Sequence, residues 1–193
     1  MSYTPKILAF AGSLRTDSFN KKLVKVAAQG AEKAGAEVTY IDLRDYPFSL
    51  YDGDLEATKG IPEIVTKVKE IMSAHDGFLI SSPEYNSGIS GVLKNFIDWT
   101  SRAAQGEKAG ACYSGRVVSL MAASPGGLGG LRGLVHVRMI LGTMDVIVLP
   151  DQLALAKAHE AFNEDGSIKD EKQHAWAERL GHNLVETLKK LRG

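Results

Sequence analysis

The run Lys6-Ile7-Leu8-Ala9-Phe10-Ala11 is apolar at five consecutive positions and shows no polar/apolar alternation. That is the pattern of a central parallel strand buried on both faces, and it argues against an antiparallel sheet with one wet face. The run stops at Gly12 and gives way to the polar segment Ser13-Leu14-Arg15-Thr16-Asp17-Ser18-Phe19-Asn20. Beyond it Leu23, Val24, Ala27, Ala28, Ala31 and Ala34 recur at helical spacing, closed by Gly35. The unit is strand, polar loop, helix.

The unit repeats along the chain. Further strands are expected over 37–42, 77–82, 116–123 and 145–149, and helices over 61–74, 92–99, 131–141 and from Asp170 onward. In the 61–74 helix, Ile61, Ile64, Val65, Val68, Ile71 and Met72 form one face, and Pro62 stands in the first turn, where a missing N–H costs little. Residues 43–60, with Tyr46-Pro47 and scattered acids, read as a long surface loop. Strands alternating with helices imply right-handed crossovers and a doubly wound α/β sheet, with ligands bound beyond the carboxyl ends of the strands. Three of those ends are chemically distinctive, at 12–20, 82–86 and 124–130, and are expected to meet in one crevice. No Pro/Gly/Ser-rich linker interrupts the 193 residues, so a single domain over 1–193 is expected.

Lys+Arg and Asp+Glu balance at 23 each. This removes the global basic field that non-specific nucleic-acid or acidic-membrane binding uses. No apolar run reaches the roughly 20 residues needed to span a bilayer. The first six residues lack the apolar core of a signal peptide, and the single cysteine, Cys112, has no internal partner, so the cytoplasm is the expected location.

The first loop supplies side-chain donors from Ser13, Ser18 and Asn20, a fixed charge from Arg15, and the unpaired N–H groups of the following helix. It reads as a phosphate site; the alternative is that Ser18 or Asn20 merely caps the helix. The Walker spacing is absent, and neither Gly12-Ser13-Leu14-Arg15 nor the 126–130 glycine cluster fits Gly-x-Gly-x-x-Gly. A terminal mononucleotide phosphate therefore fits better than a dinucleotide. The segment Glu84-Tyr85-Asn86 taken alone is an ordinary strand-to-helix turn with Asn86 as cap, and residues 126–130 taken alone are a flexible loop.

Taken together, Gly12-Ser13-Leu14-Arg15 with Ser18 and Asn20, Ser82-Pro83-Glu84-Tyr85-Asn86, Gly91-Val92-Leu93-Lys94-Asn95-Phe96-Ile97-Asp98-Trp99, and Ser124-Pro125-Gly126-Gly127 before Gly129-Gly130 closely resemble the NAD(P)H-dependent FMN reductases. The resemblance runs in register over about residues 6 to 150. That family, which includes quinone, azo-dye and chromate reductases, implies a flavodoxin-like fold with five parallel strands in the order 2-1-3-4-5 and helices on both faces. It implies that Ser13, Arg15, Ser18, Phe19 and Asn20 surround the FMN phosphate. Pro83, Glu84, Tyr85 and Asn86 would border the isoalloxazine, and Ser124, Gly126 and Gly127 would line its other side. NADPH or NADH would be the co-substrate, a small electron-poor molecule (a quinone, azo compound, chromate or free flavin) the acceptor, and a homodimer or homotetramer the assembly. Family members often carry proline where Ser90 stands, which implies a looser turn into the next helix here.

Flavin chemistry needs no protein nucleophile, because the cofactor accepts and returns the electrons. No catalytic side chain and no metal are therefore expected. Cys112 reads as a bystander, no Gly-x-Ser-x-Gly elbow occurs, and the five histidines form no ligand motif. Asp52, Asp54 and Glu56 read as a solvated loop face. Phe96 and Trp99 read as core or subunit contacts, and Arg102, Arg132 and Arg138 as interface residues or cofactor-phosphate contacts. The rival function on the same fold is a non-enzymatic electron carrier or regulatory FMN-binding module. Flavodoxin-type carriers tend to be strongly acidic, and zero formal charge argues against that role.

Overall fold

The computed structural model describes residues 3–193. In chain order the elements are β1 (Lys6–Ala11), α1 (Phe19–Lys33), β2 (Glu37–Ile41), α2 (Gly53–Lys59), α3 (Glu63–Ser73), β3 (Gly77–Ser81), β4 (Glu84–Tyr85), β5 (Gly88–Ile89), α4 (Gly91–Thr100), β6 (Val117–Ala123), α5 (Leu131–Gly142), β7 (Ile147–Leu155), α6 (Ala158–Ala161) and α7 (Glu171–Arg192). Five strands form a parallel sheet in the order β2-β1-β3-β6-β7. Counting only these five, the order is the expected 2-1-3-4-5, and the fold is flavodoxin-like.

Side chains alternate between two cores. Ile7, Ala9 and Leu79 face α1 and α7, whereas Leu8, Phe10, Phe78 and Ile80 face α3, α4 and α5. Every residue of β3 and β6 is buried, including Ser81 and Ser119, as expected of central strands that are apolar at nearly every position. Two glycines let α1 and α7 cross closely: a Cβ at Gly30 would lie 2.0 Å from the Glu178 carbonyl oxygen, and one at Gly181 would lie 1.9 Å from that of Ala27.

Three expectations need correction. Residues 43–60 are not one loop, since a 3-10 turn over Leu43–Asp45 and the seven-residue α2 interrupt them. Helix α2 buries no residue, so it leaves no apolar periodicity to read. Its start is set by Asp52, whose carboxylate accepts from the N–H groups of Asp54 (2.9 Å) and Leu55 (3.4 Å). The last strand begins at Ile147 and runs on through Pro150 to Leu155. Proline is tolerated there because β7 is an edge strand and the register slips between Val118 and Leu120. Finally, the chain does not pass directly from β3 into α4. Residues 84–89 form a two-stranded hairpin, with Glu84 opposite Ile89 and Tyr85 opposite Gly88. Its two-residue turn holds Asn86 and Ser87 at φ values of 50° and 66°, the geometry of a type I′ turn.

Candidate cofactor site at the carboxyl edge of the sheet

The three chemically distinctive loops all leave the same edge, from the ends of β1, β3 and β6. Asn20, in the first turn of α1, binds them together. Its Nδ2 donates to the Ala123 carbonyl (2.8 Å), and its Oδ1 accepts from the Ala123 N–H (3.0 Å) and the Ser81 hydroxyl (2.9 Å). The Gly12 N–H adds a bond to the Ser81 carbonyl (2.9 Å), and the Ser82 N–H one to Met121 (2.8 Å). Asn20 is therefore a clamp that spends its Oδ1 and one of its two Nδ2–H groups on the strand ends.

Ser18 occupies the N-cap position of α1 in extended conformation, yet its side chain makes no capping bond. The capping alternative thus fails for both Ser18 and Asn20, and the N–H groups of the first turn of α1 have no side-chain acceptor. Ser13 and Ser18 are buried, and the Ser13 hydroxyl accepts from the Arg15 N–H (3.3 Å). The Arg15 guanidinium lies over the Phe19 ring (5.9 Å), which in turn stacks on Phe162 (6.2 Å between centroids).

The second loop is held from two directions. The Glu84 carboxylate accepts from the backbone N–H groups of Arg132 (3.0 Å) and Gly133 (3.2 Å), and from Arg132 Nε (2.7 Å). It therefore caps α5 from outside the helix, and Arg132 is spent on this ion pair. Burial alone would raise the carboxyl pKa, but the guanidinium and the two N–H donors outweigh it and hold it below the usual range. Ser90, not Asn86, is the N-cap of α4. Its hydroxyl accepts from the Leu93 N–H (3.1 Å) and donates to the Gly12 carbonyl (2.6 Å). The turn expected to be loose is pinned to the end of β1.

In the third loop Ser124 Oγ accepts from the Gly126 N–H (3.2 Å). A Cβ at Gly127 would meet no atom within 4 Å, and one at Gly126 only the Ser124 hydroxyl at 3.7 Å. Internal packing does not demand glycine at either place, and the backbone there is open to close approach. Gly129 and Gly130 differ: both have positive φ, and a Cβ would lie 2.5 Å from Ala154 and 2.7 Å from Ala122. A cradle with a hydroxyl-lined helix N-terminus on one side and bare backbone on the other fits a phosphorylated planar group.

A family model described as NADPH-dependent FMN reductase matches residues 5–160. The chain belongs to that family. It is 32% identical over 194 residues to an NAD(P)H-dependent FMN reductase of Pseudomonas aeruginosa, covering all of both chains. It is 35% identical over 150 residues to a quinone reductase of Escherichia coli, covering 77% of this chain and 76% of the other. Among solved structures, a flavoenzyme NAD(P)H:(acceptor) oxidoreductase of Paracoccus denitrificans superposes with a TM-score of 0.79 at 28% identity, covering 97% of this chain and 98% of that one.

The protein is thus an oxidoreductase, and family membership implies FMN and NAD(P)H as its redox partners. Other residues of the reductase fall outside this edge. Cys112 is buried and donates to the Thr100 carbonyl (3.3 Å), and burial pushes its thiol up to about 11. Phe96 and Trp99 are core residues. With Asn95, Trp99 anchors the preceding loop, since Asn95 Nδ2 (2.9 Å) and Trp99 Nε1 (2.8 Å) both donate to the Ser49 carbonyl. Arg102 stacks over Tyr51, and Arg138 donates to Val148 and Gln152. A cavity of about 730 Å³ lies between the C-terminal ends of α4 and α5, lined by Ile97, Arg102, Lys108, Ala111, Met144 and Asp145. Residues 108–114 and 143–145 lead into β6 and β7, so this cavity belongs to the opposite edge. Among the described residues no helix is long and apolar enough to cross a membrane.

Proposed function

We propose that this reductase holds FMN with its phosphate in the 13–20 loop and its ring between residues 83–86 and 124–127. We further propose that it reduces quinone-type acceptors with NADPH or NADH in ping-pong turnover. The observation that carries this reading is the Asn20 clamp, which draws a hydroxyl-rich helix start, a hairpin turn and a glycine wall into one crevice. FMN, when bound, supplies the redox chemistry by accepting a hydride and passing two electrons on.

The chain's own residues bind and orient. Ser13, Ser18 and the first-turn N–H groups of α1 take the phosphate, the helix end contributing about 0.3–1 kcal/mol and a charge-assisted bond from Arg15 about 1.5–3 kcal/mol. Phe19 keeps Arg15 in place by stacking. Pro83, Tyr85 and Asn86 offer main-chain groups to the ring, Glu84 fixes their distance from α5, and Ser124 shapes the backbone at Gly126 and Gly127. No side chain acts as nucleophile or metal ligand. The names of the relatives support a quinone as acceptor; azo compounds, chromate and free flavin extend the same electron-poor class. The exposed apolar stripe Leu131, Val135 and Met139 on α5 supports self-association as a dimer or tetramer of one-domain subunits.

Anaerobic mixing of the FMN-loaded protein with NADPH or NADH tests the reading. Loss of the oxidised flavin absorbance, followed by its recovery when a quinone is added, is expected. A flavin that stays oxidised with both nucleotides would reject it.

A further inference from the structure

We propose that Lys157 binds a phosphate of the incoming nicotinamide dinucleotide. The inference rests on the FMN site proposed above. Lys157 has φ 49° and ψ 41°, a left-handed backbone that disfavours any residue with a Cβ. Glycine or asparagine would sit there at lower cost, so an ordinary lysine at this point calls for a use of its side chain.

Its position supplies one. The Lys157 N–H donates to the Gly126 carbonyl (3.3 Å), the neighbouring Ala158 N–H to the Ser124 carbonyl (3.0 Å), and the Ser124 N–H to Leu155 (3.1 Å). The backbone of Lys157 is thereby fastened to the glycine wall, and its exposed side chain leaves from there on a flexible four-carbon stem.

Lys22 pairs with Asp17 (2.7 Å) and Arg132 with Glu84 (2.6 Å). Among the described residues neither Arg15 nor the exposed Lys157 makes an ion pair, and Arg44, which reaches the first loop, donates to the Thr16 hydroxyl. Arg15 stands at the start of α1 and serves the single phosphate of FMN. A second free cation beside the glycine wall then suits the other phosphorylated reactant, whose pyrophosphate, or 2′-phosphate in NADPH, is exposed when it approaches a ring held between the two walls.

The test is calorimetric titration of NADP⁺ and NAD⁺ into FMN-loaded protein, parent against Lys157→Gln, Lys157→Gly and Lys157→Arg, with FMN affinity measured in parallel. The Gln and Gly variants are expected to bind about five- to tenfold more weakly, as for one partly exposed charge-assisted contact, with FMN affinity unchanged and the Arg variant near the parent. The Gly variant should also melt at a higher temperature, because it relieves the left-handed strain. Weakening of NADP⁺ alone places Lys157 on the 2′-phosphate, and equal weakening of both nucleotides places it on the pyrophosphate. Unchanged nucleotide binding in the Gln variant, or a parallel loss of FMN, would overturn the inference. A parent that takes up no FMN would instead overturn the reading of the site on which it rests.

Discussion

Asn20 and Ser18 exchange the roles their positions suggest. An asparagine and a serine at the start of a helix read alike as caps or phosphate ligands. Yet Asn20 is committed to partners 61 and 103 residues away, while Ser18 keeps its hydroxyl uncommitted. Sequence spacing carries the chemistry of such residues but not the long-range bonds that fix the orientation of one of them. Ser87 is a second such residue. Its positive φ marks a turn position that favours glycine. Ser87→Gly is expected to stabilise the protein by about 1 kcal/mol, seen as a higher urea midpoint at unchanged slope; a lower midpoint would refute the strain. Cys112 was legible as a bystander, and its buried, raised thiol agrees. Cys112→Ser should leave FMN content and turnover within about twofold of the parent, because a thiol that stays protonated is no nucleophile at neutral pH. Large loss of activity with FMN retained would reopen a thiol mechanism.

Among the elements, long amphipathic ones were legible and short ones were not. Helix α3 and the C-terminal α7 follow their apolar spacing. Helix α2 has no buried face, the β4–β5 hairpin has two residues per strand, and its Asn-Ser turn lacks the glycine that would announce it. The hairpin is nonetheless what carries Glu84 to α5. With its carboxyl below the usual range in the folded protein, Glu84 adds stability that is complete above the unfolded value of roughly 4.3 and fades as pH falls through the lower folded value. Because Arg132 is half exposed, about 1–2 kcal/mol is expected. Urea titration of the parent and Glu84→Gln should show that gap at neutral pH and its closing in acid. A gap that persists at pH 3 would show that the carboxylate charge is not what holds the hairpin to the helix.

At the scale of the whole molecule, the strand order and the edge where the loops meet follow from apolar runs alternating with helices, and they are as the sequence implied. The bonds that join the three loops to their neighbours were less legible, because they are made by Asn20, Ser90 and Glu84, none of which is marked by local pattern. The 730 Å³ cavity at the opposite edge holds none of the residues proposed for the cofactor. It is lined by residues that lead into β6 and β7, away from the strand ends from which the three loops leave. The central claim is that the three loops hold FMN by its phosphate at 13–20. It is tested most directly by titrating FMN and riboflavin, which lacks the phosphate, into parent and Arg15→Ala protein and following flavin fluorescence. The account predicts that Arg15→Ala weakens FMN by about ten- to a hundredfold, corresponding to roughly 1.5–3 kcal/mol, while riboflavin affinity and melting temperature stay at the parent's values. Equal FMN affinity in the two proteins would contradict it.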